Sequence, residues 1–502
     1  MPKFKRSILA AFSAVVVLLG AWPACGQTFI DLENQIKEIK LDNGMTFLVL
    51  ERHDVPVFSF CTYVGVGSAN EVRGITGIAH ILEHMAFKGT AEIGTKDYKN
   101  ELKAMAAEDA AFAALKTERL KGENADPEQL AQFEATFTSA KDAAREFVVS
   151  NQFGEIVEQH GGVGLNASTG VDQTQYYYSF PSNSLELWAY LEGSRMSAPV
   201  MREFYTEKDG PVTEERRMRT DNSPFGRLME QFQCLAFIAN GYSHATIGHM
   251  SDLNNITRQD CEDFYRRNYV GKNICVAVVG DVDAAEVEKL ARKYFGKIPA
   301  GDPEPVETQE PDQVAEKRMT IKEDTQPILM LGWKIEGQMD ADWPVYQAIA
   351  DILGQGRTSR LYTKLVKEDK QAVQTFSFAG FPGSRYTNLM TVFGIPVKGV
   401  GAEQLEETIR AEVARLVTDG VTGAELAGVK QRARANFLRG LDSNGGLAGQ
   451  LASYQMDTGD WRRLFREVQR LEAVTTDDVK RVAAEIFQDQ RLTVAMIENE
   501  QS

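Results

Sequence analysis

Both halves of this 502-residue chain end in the same way, with a helical pattern followed by an apolar strand. The first half closes with VAVVGDV at 276–282 and the second with LTVAMIE at 492–498. From residue 36 onward, strand-like and helix-like stretches alternate, and the chain is too long for one hydrophobic core. The repetition predicts an α+β fold of two related domains, each a mostly antiparallel sheet packed with helices.

The expected boundary between the two domains is a stretch rich in proline and acidic residues, GKIPAGDPEPVETQEPDQ, at 296–313. This composition is typical of a linker. We therefore expect a first domain over 27–295 and a second domain of the same fold type over 314–502. Within the first, 98–153 is rich in Ala, Lys and Glu at helical spacing and is broken once near KGENADPEQ, which predicts an inserted helical hairpin.

Residues 1–26 have the organisation of a secretory signal peptide. A basic start (Lys3, Lys5, Arg6) precedes an apolar run that is short for a membrane span. We expect a cleaved signal, a periplasmic or secreted protein and no stable membrane span. A retained anchor and lipid attachment through Cys25 are the less favoured alternatives.

Charge and cysteine content exclude two kinds of site. The formal net charge is −16, which argues against nucleic acid as a partner, because binding to phosphates requires clustered positive charge. The five cysteines include no CxxC pair, so a thiolate zinc site is not expected. Scattered buried thiols are favoured over a disulfide.

The stretch GIAHILEHMAFKGT at 77–90 carries the pattern with the clearest chemistry. Its apolar residues recur at helical spacing, so His80 and His84 project from one helix face together with Glu83. Two neutral imidazoles at this spacing can bind one Zn²⁺, and the adjacent carboxylate can take a proton from a metal-activated water. The pattern HxxEH is the reverse of the HExxH zinc-peptidase signature. A chance match or a structural histidine pair is the competing interpretation.

GIAHILEHMAFKGT resembles the active-site helix of the pitrilysin/insulinase family of inverted zinc metallopeptidases, which includes the mitochondrial processing peptidases and bacterial relatives. Three further segments resemble the same family: EIVEQHGGVGLNASTGVDQTQYYYSFP, EFYTEKDGPVTEERRMRTDNSPFGRL and FYRRNYVGKNICVAVVGDV. The similarity covers most of 36–500. It implies half of a pitrilysin-type clamshell, with a catalytic first domain and a non-catalytic second domain.

The resemblance also implies a third zinc ligand, a glutamate on a separate helix. Glu214 and Glu215 are both candidates. Family members usually carry another glutamate seven residues before this ligand. That spacing leads from Glu214 back to Glu207, but from Glu215 back to Lys208, which favours Glu214.

Alignment of EERRMR with the family and the helical wheel both favour Glu215. Gly210 then reads as a one-residue insertion, and Pro211 suits the first position of the helix. On that helix Glu215 falls between Val212 and Met218, on the inward face. We predict His80, His84 and Glu215 as the zinc ligands and Glu83 as the catalytic base, with Glu214 as the alternative third ligand.

In the family, the segment matching Asn166 and Ala167 lies on an exposed strand edge, to which a peptide substrate adds as an extra strand. Family members also often place an Arg and, seven residues later, a Tyr against the substrate carbonyl. Here those positions are Val366 and Val373, and valine can neither donate a hydrogen bond nor stabilise an oxyanion. We therefore expect a partner subunit of related fold that supplies the Arg/Tyr pair in a heterodimer, or else a homodimer.

Together these patterns predict a zinc-dependent endopeptidase that hydrolyses peptides or unfolded polypeptide segments. The alternative is a non-catalytic scaffold or core subunit of the same fold, for which an eroded metal motif would be typical.

Overall fold

The computed structural model describes residues 32–306 and 308–499, so the predicted signal peptide and Cys25 lie outside the described residues. The described strands form two sheets. They are β1 (Lys37–Lys40), β2 (Thr46–Glu51), β3 (Val57–Val64), β4 (Val163–Thr169), β5 (Thr174–Pro181), β6 (Ile274–Gly280), β7 (Lys317–Lys322), β8 (Ile328–Ile335), β9 (Ala372–Phe381), β10 (Asn388–Pro396) and β11 (Leu492–Glu498).

The two sheets repeat one topology. Their strand orders are β1-β2-β6-β3-β5-β4 and β7-β11-β8-β10-β9. In each, the last strand of its half pairs in parallel with an early strand, β6 with β2 and β11 with β7, and the other described pairings are antiparallel. β4 and β9 occupy the same outer position in the two sheets. The predicted α+β fold of two related, mostly antiparallel domains is confirmed.

Two strands, β7 and β9, are additional to those predicted from the sequence. Both are outer strands that pair on one side within the described sheet. β7 (KRMTIK) alternates between half-buried and exposed residues. β9 mixes buried, half-buried and exposed residues along its length. Outer strands with one partly exposed face lack the continuous apolar run that identifies buried strands such as β6.

The helices cover these sheets. They are α1 (Ile78–Met85), α2 (Tyr98–Arg119), α3 (Pro127–Arg145), α4 (Gln152–Gln159), α5 (Leu185–Ser197), α6 (204–221), α7 (Pro224–Ala236), α8 (Met250–Asn255), α9 (Arg258–Asn268), α10 (Ala284–Tyr294), α11 (Trp343–Gly354), α12 (Ala402–Asp419), α13 (Gly423–Asp442), α14 (Asn444–Thr458), α15 (Arg463–Ala473) and α16 (Thr476–Ile486), with a π-helical segment at Tyr362–Glu368. No helix in the described part of the chain is long and apolar enough to span a membrane.

Each sheet is covered on one face by a helix of the other half. α14 lies across β3 and β6, where Leu447 and Leu451 join Leu50 of the first sheet in one apolar cluster. In return, α7 packs against β8 and β11, and Phe232 joins Leu389 of the second sheet in another cluster. The two halves therefore share their hydrophobic cores.

The predicted hairpin in 98–153 forms the antiparallel helices α2 and α3, and it is firmly attached. Glu101 pairs with Arg202 at 2.7 Å, with both side chains 1% exposed. Phe112 packs on Tyr205, with ring centroids 4.4 Å apart. Because Tyr205 lies in α6, the hairpin packs against the helix that carries Glu215.

Candidate metal centre

The helix α1 carries the predicted histidine pair. The rings of His80 and His84 lie with their centroids 4.8 Å apart. α1 starts after Gly77, whose φ of 93° is left-handed. A Cβ at this position would lie 2.7 Å from the carbonyl oxygen of Ile247. Only glycine satisfies both conditions, so this residue fixes where the helix begins.

A buried carboxylate holds the start of α1. Glu71 accepts hydrogen bonds from the backbone N–H groups of Gly77 and Ala79, each at 2.8 Å. His244 donates from Nε2 to the same carboxylate at 2.9 Å. Burial raises the pKa of Glu71, and these hydrogen bonds oppose that effect. A carboxylate suits the unpaired N–H groups at a helix start, but no local pattern identified Glu71, since His244 is far away in sequence.

Glu215 lies on α6, and here the sequence prediction is wrong on where the helix begins. The helix starts at Phe204 rather than at Pro211, and Pro211 lies inside a π-helical turn, Lys208–Val212. Proline has no N–H for the α-helical pattern, so the wider turn accommodates both it and an extra residue. The Thr213 hydroxyl donates to the Lys208 carbonyl at 2.8 Å and satisfies one carbonyl of this turn.

Of the two adjacent glutamates, the structure places Glu215 against the histidines. Its Oε2 lies 3.5 Å from His80 Nε2 and 3.8 Å from His84 Nε2. The Glu214 side chain is 58% exposed and pairs with Arg217. Met218, which the helical wheel placed on the inward face, is 63% exposed. It lies in a second π-helical segment of α6, Arg217–Asp221, where the regular wheel does not apply.

The donor set and its spacing fit a zinc ion. His80, His84 and Glu215 each offer one ligand atom, and these atoms all lie within 4.8 Å of one another. In tetrahedral zinc sites with bonds of about 2.1 Å, ligand atoms lie about 3.4 Å apart. Burial lowers the pKa of His80 to about 3, with further contributions from His84 and Arg219. The imidazole is therefore neutral, as a metal ligand must be.

Glu207 orients the second histidine. His84 donates from Nδ1 to Glu207 Oε1 at 2.9 Å, which directs Nε2 toward Glu215. Burial raises the pKa of Glu207, but hydrogen bonds from His84 and Lys88 outweigh it and lower the pKa to about 2. Glu207 precedes Glu215 by eight residues because the extra residue lies in the π turn. The seven-residue count that favoured Glu214 is misleading for this reason.

The predicted base, Glu83, is held by a residue that the sequence analysis missed. Thr169, at the end of β4, donates from its hydroxyl to Glu83 Oε2 at 2.6 Å. Burial raises the pKa of Glu83, and this hydrogen bond and the nearby His84 oppose the rise. Thr169 lies three residues after Asn166, so the strand predicted to bind substrate also orients the base.

These side chains line a cleft of about 620 Å³, and β4 forms one wall of it. Asn166 and Ala167 both line the cleft. Among the described strands β4 pairs only with β5, so its outer edge is free. Val366 packs against the core of the second domain and Val373 is 58% exposed. The described residues that line the cleft all fall within 80–247, and neither valine is among them.

The repeated sheet, with the HxxEH helix beside a free strand edge, is the architecture of the clamshell peptidases. Two family models match the chain: Insulinase (Peptidase family M16) over 48–120 and Peptidase M16 inactive domain over 255–433. The chain belongs to peptidase family M16.

Related proteins are similar to this chain over more than nine-tenths of its length. The chain is 29% identical to the zinc protease PqqE of Helicobacter pylori, across 98% of both chains. It is 23% identical to the mitochondrial-processing peptidase subunit beta of Blastocladiella emersonii, across 91% of this chain and 87% of that one. A crystal structure of a protease from Helicobacter pylori superposes with a TM-score of 0.76 at 27% identity, covering 92% of this chain and 99% of that one. Peptidase function is thus supported at the level of the family.

Proposed function

We propose that this protein is a zinc-dependent endopeptidase that hydrolyses peptides or unfolded polypeptide segments. The proposal rests on the convergence of His80, His84 and Glu215 within 4.8 Å. A non-catalytic scaffold of the same fold would have no need of this donor set. The intact set, with Glu83 beside it, favours the peptidase.

The chain's own residues divide the work of peptide hydrolysis. A zinc ion held by His80, His84 and Glu215 would supply Lewis acidity, which activates a water molecule and polarises the scissile carbonyl. Glu83 takes the proton from that water and later delivers it to the leaving amine. The Thr169 hydroxyl donates to Oε2 of Glu83, so we assign the transferred proton to the other oxygen, Oε1.

The substrate is expected to add to the free edge of β4. Main-chain hydrogen bonds along Asn166 and Ala167 would hold an extended peptide with little demand on its sequence. This mode suits unfolded segments, because most backbone N–H and C=O groups of a folded protein are already hydrogen-bonded. A periplasmic or secreted location remains a proposal from the signal-peptide pattern.

The proposal is tested by measuring the zinc content of the purified protein and the activity of one variant, Glu83→Gln. Purified protein should hold about one zinc per chain, as three protein ligands predict. Glu83→Gln should keep that zinc and lower kcat/KM on an unfolded peptide by roughly 10²–10⁴-fold, the usual contribution of a general base. Glu155→Gln, an exposed glutamate on α4, is the matched control. Absence of zinc, or wild-type turnover by Glu83→Gln, would refute the proposal.

We also propose a partner subunit that supplies the missing Arg/Tyr pair. It is supported by the cleft, whose described lining comes from the first domain alone, and by valine at both expected positions. The chain alone should cleave the unfolded peptide at a measurable rate, and a larger species isolated by size-exclusion chromatography with light scattering should cleave it faster. A fully active monomer would contradict the proposed partner subunit, but it would not contradict the proposed metal site.

A further inference from the structure

Lys88 bridges the two elements that carry the histidines and Glu215. It lies four residues beyond His84, just after α1. Its Nζ is 2.6 Å from Glu207 Oε2 and 3.5 Å from Glu203 Oε2. Glu203 immediately precedes α6, and Glu207 lies on it. The Lys88 side chain is 22% exposed, so these contacts are partly protected from water.

The two oxygens of Glu207 are shared between two donors. Oε1 accepts from His84 Nδ1 at 2.9 Å, and Oε2 faces the Lys88 ammonium at 2.6 Å. A carboxylate turns about a single bond, so one donor leaves its plane free to rotate, whereas two donors on opposite oxygens fix it. The fixed plane holds the His84 ring, and with it the direction of Nε2 toward Glu215.

We propose that Lys88 is a positioning residue for the metal: acting through Glu207, it holds His84 and sets the gap between α1 and α6. This inference rests on the proposed zinc site. Partners that orient a ligand histidine usually contribute 10–100-fold to metal affinity, and Lys88 acts one step further out, so we expect about tenfold.

Electrostatics alone predicts the opposite change in zinc affinity when Lys88 is removed. A lysine near a divalent cation repels it, so removal of the charge alone should strengthen zinc binding. Positioning predicts weaker binding. The sign of the change therefore separates the two effects.

The experiment measures zinc affinity of the metal-free protein by competition with a chromogenic chelator. Lys88→Met should weaken zinc binding by about tenfold, while Lys88→Arg should restore it to within about threefold of wild type, since guanidinium also donates to both acids. Lys96→Met is the matched control, because Lys96 is exposed and donates to the Glu146 carbonyl, away from Glu207. The visible spectrum of the cobalt-substituted protein should shift in Lys88→Met alone.

If Lys88 acts through Glu207, the double variant Lys88→Met/Glu207→Gln should bind zinc as tightly as Glu207→Gln alone. Unchanged or tighter zinc binding by Lys88→Met would overturn the inference while leaving the zinc peptidase intact. A raised KM with unchanged zinc affinity would do the same and assign Lys88 to substrate contact. If Lys88→Met does not fold, Lys88→Gln decides by the same criteria. A wild-type chain that binds no zinc would overturn both proposals.

Discussion

At the scale of the residue, two adjacent glutamates, Glu214 and Glu215, differ in their exposure and in their contacts. Glu214 is 58% exposed and pairs with Arg217 at 3.3 Å. Glu215 is 19% exposed, and its two oxygens lie near the histidines and near Arg219. Neighbouring positions on a helix are separated by about 100°, so they face different surroundings. Position on the helix, not residue type, decides which glutamate can bind metal.

The same substitution at the two glutamates should therefore give different results. Glu215→Gln should weaken zinc binding by about 100-fold or more, because it changes a proposed direct ligand rather than the partner of one. Glu214→Gln should alter zinc affinity by less than about twofold, since exposed ion pairs contribute little. Chelator competition on both variants measures this. A larger loss in Glu214→Gln would reverse the assignment of the third ligand.

At the scale of the element, the π turn of α6 accounts for the unusual spacing in the site. Glu207 and Glu215 both approach His84, although eight residues separate them. Eight residues that include one π turn complete about the two turns that seven complete in a regular α-helix. Gly210, inside that turn, is exposed, and a Cβ there would meet no atom within 4 Å.

This geometry predicts that a shortened helix keeps the site. Deletion of Gly210 together with Pro211→Ala should give a regular helix from Glu207 to Glu215 and keep zinc affinity within about threefold. The alanine is needed because proline inside an α-helix costs about 3 kcal/mol. An alanine inserted after Gly210 is the control: it rotates Glu215 by about 100° relative to Glu207 and should abolish zinc binding. Loss of zinc in the shortened helix would show that the π turn itself is required.

At the scale of the whole molecule, the two domains complete each other's cores. Leu447 and Leu451, both fully buried, lie on α14 of the second half and cover the first sheet. Burial of two leucines contributes about 3–6 kcal/mol, against a total stability of roughly 5–15 kcal/mol for a typical domain. The first half therefore depends on the second for its stability, even though its described residues line the cleft alone.

A chain that ends at residue 313 should accordingly fail to unfold cooperatively. The outer face of the first sheet would be exposed, and the fragment should bind a hydrophobic dye and aggregate. Co-expression with residues 314–502 should restore one cooperative transition, which calorimetry detects. A soluble fragment that unfolds with the Tm of the full chain would contradict shared cores.

The sequence by itself determined the features that depend on local periodicity. These include the HxxEH helix, the inserted hairpin, the buried strands and the repetition of one fold in two halves, because side-chain spacing along the chain records which face of an element is buried. The resemblance to the family narrowed the predicted third ligand to Glu214 or Glu215, with Glu215 favoured.

Only the tertiary structure decided which residues complete the site. Thr169 is 86 positions from Glu83, Glu207 is 123 from His84 and Glu71 is 173 from His244. Such contacts leave no trace in local periodicity, because they form only when separate elements pack together. The π turn escaped prediction for a related reason: a helical wheel assumes one regular period, whereas α6 contains two π-helical segments, Lys208–Val212 and Arg217–Asp221.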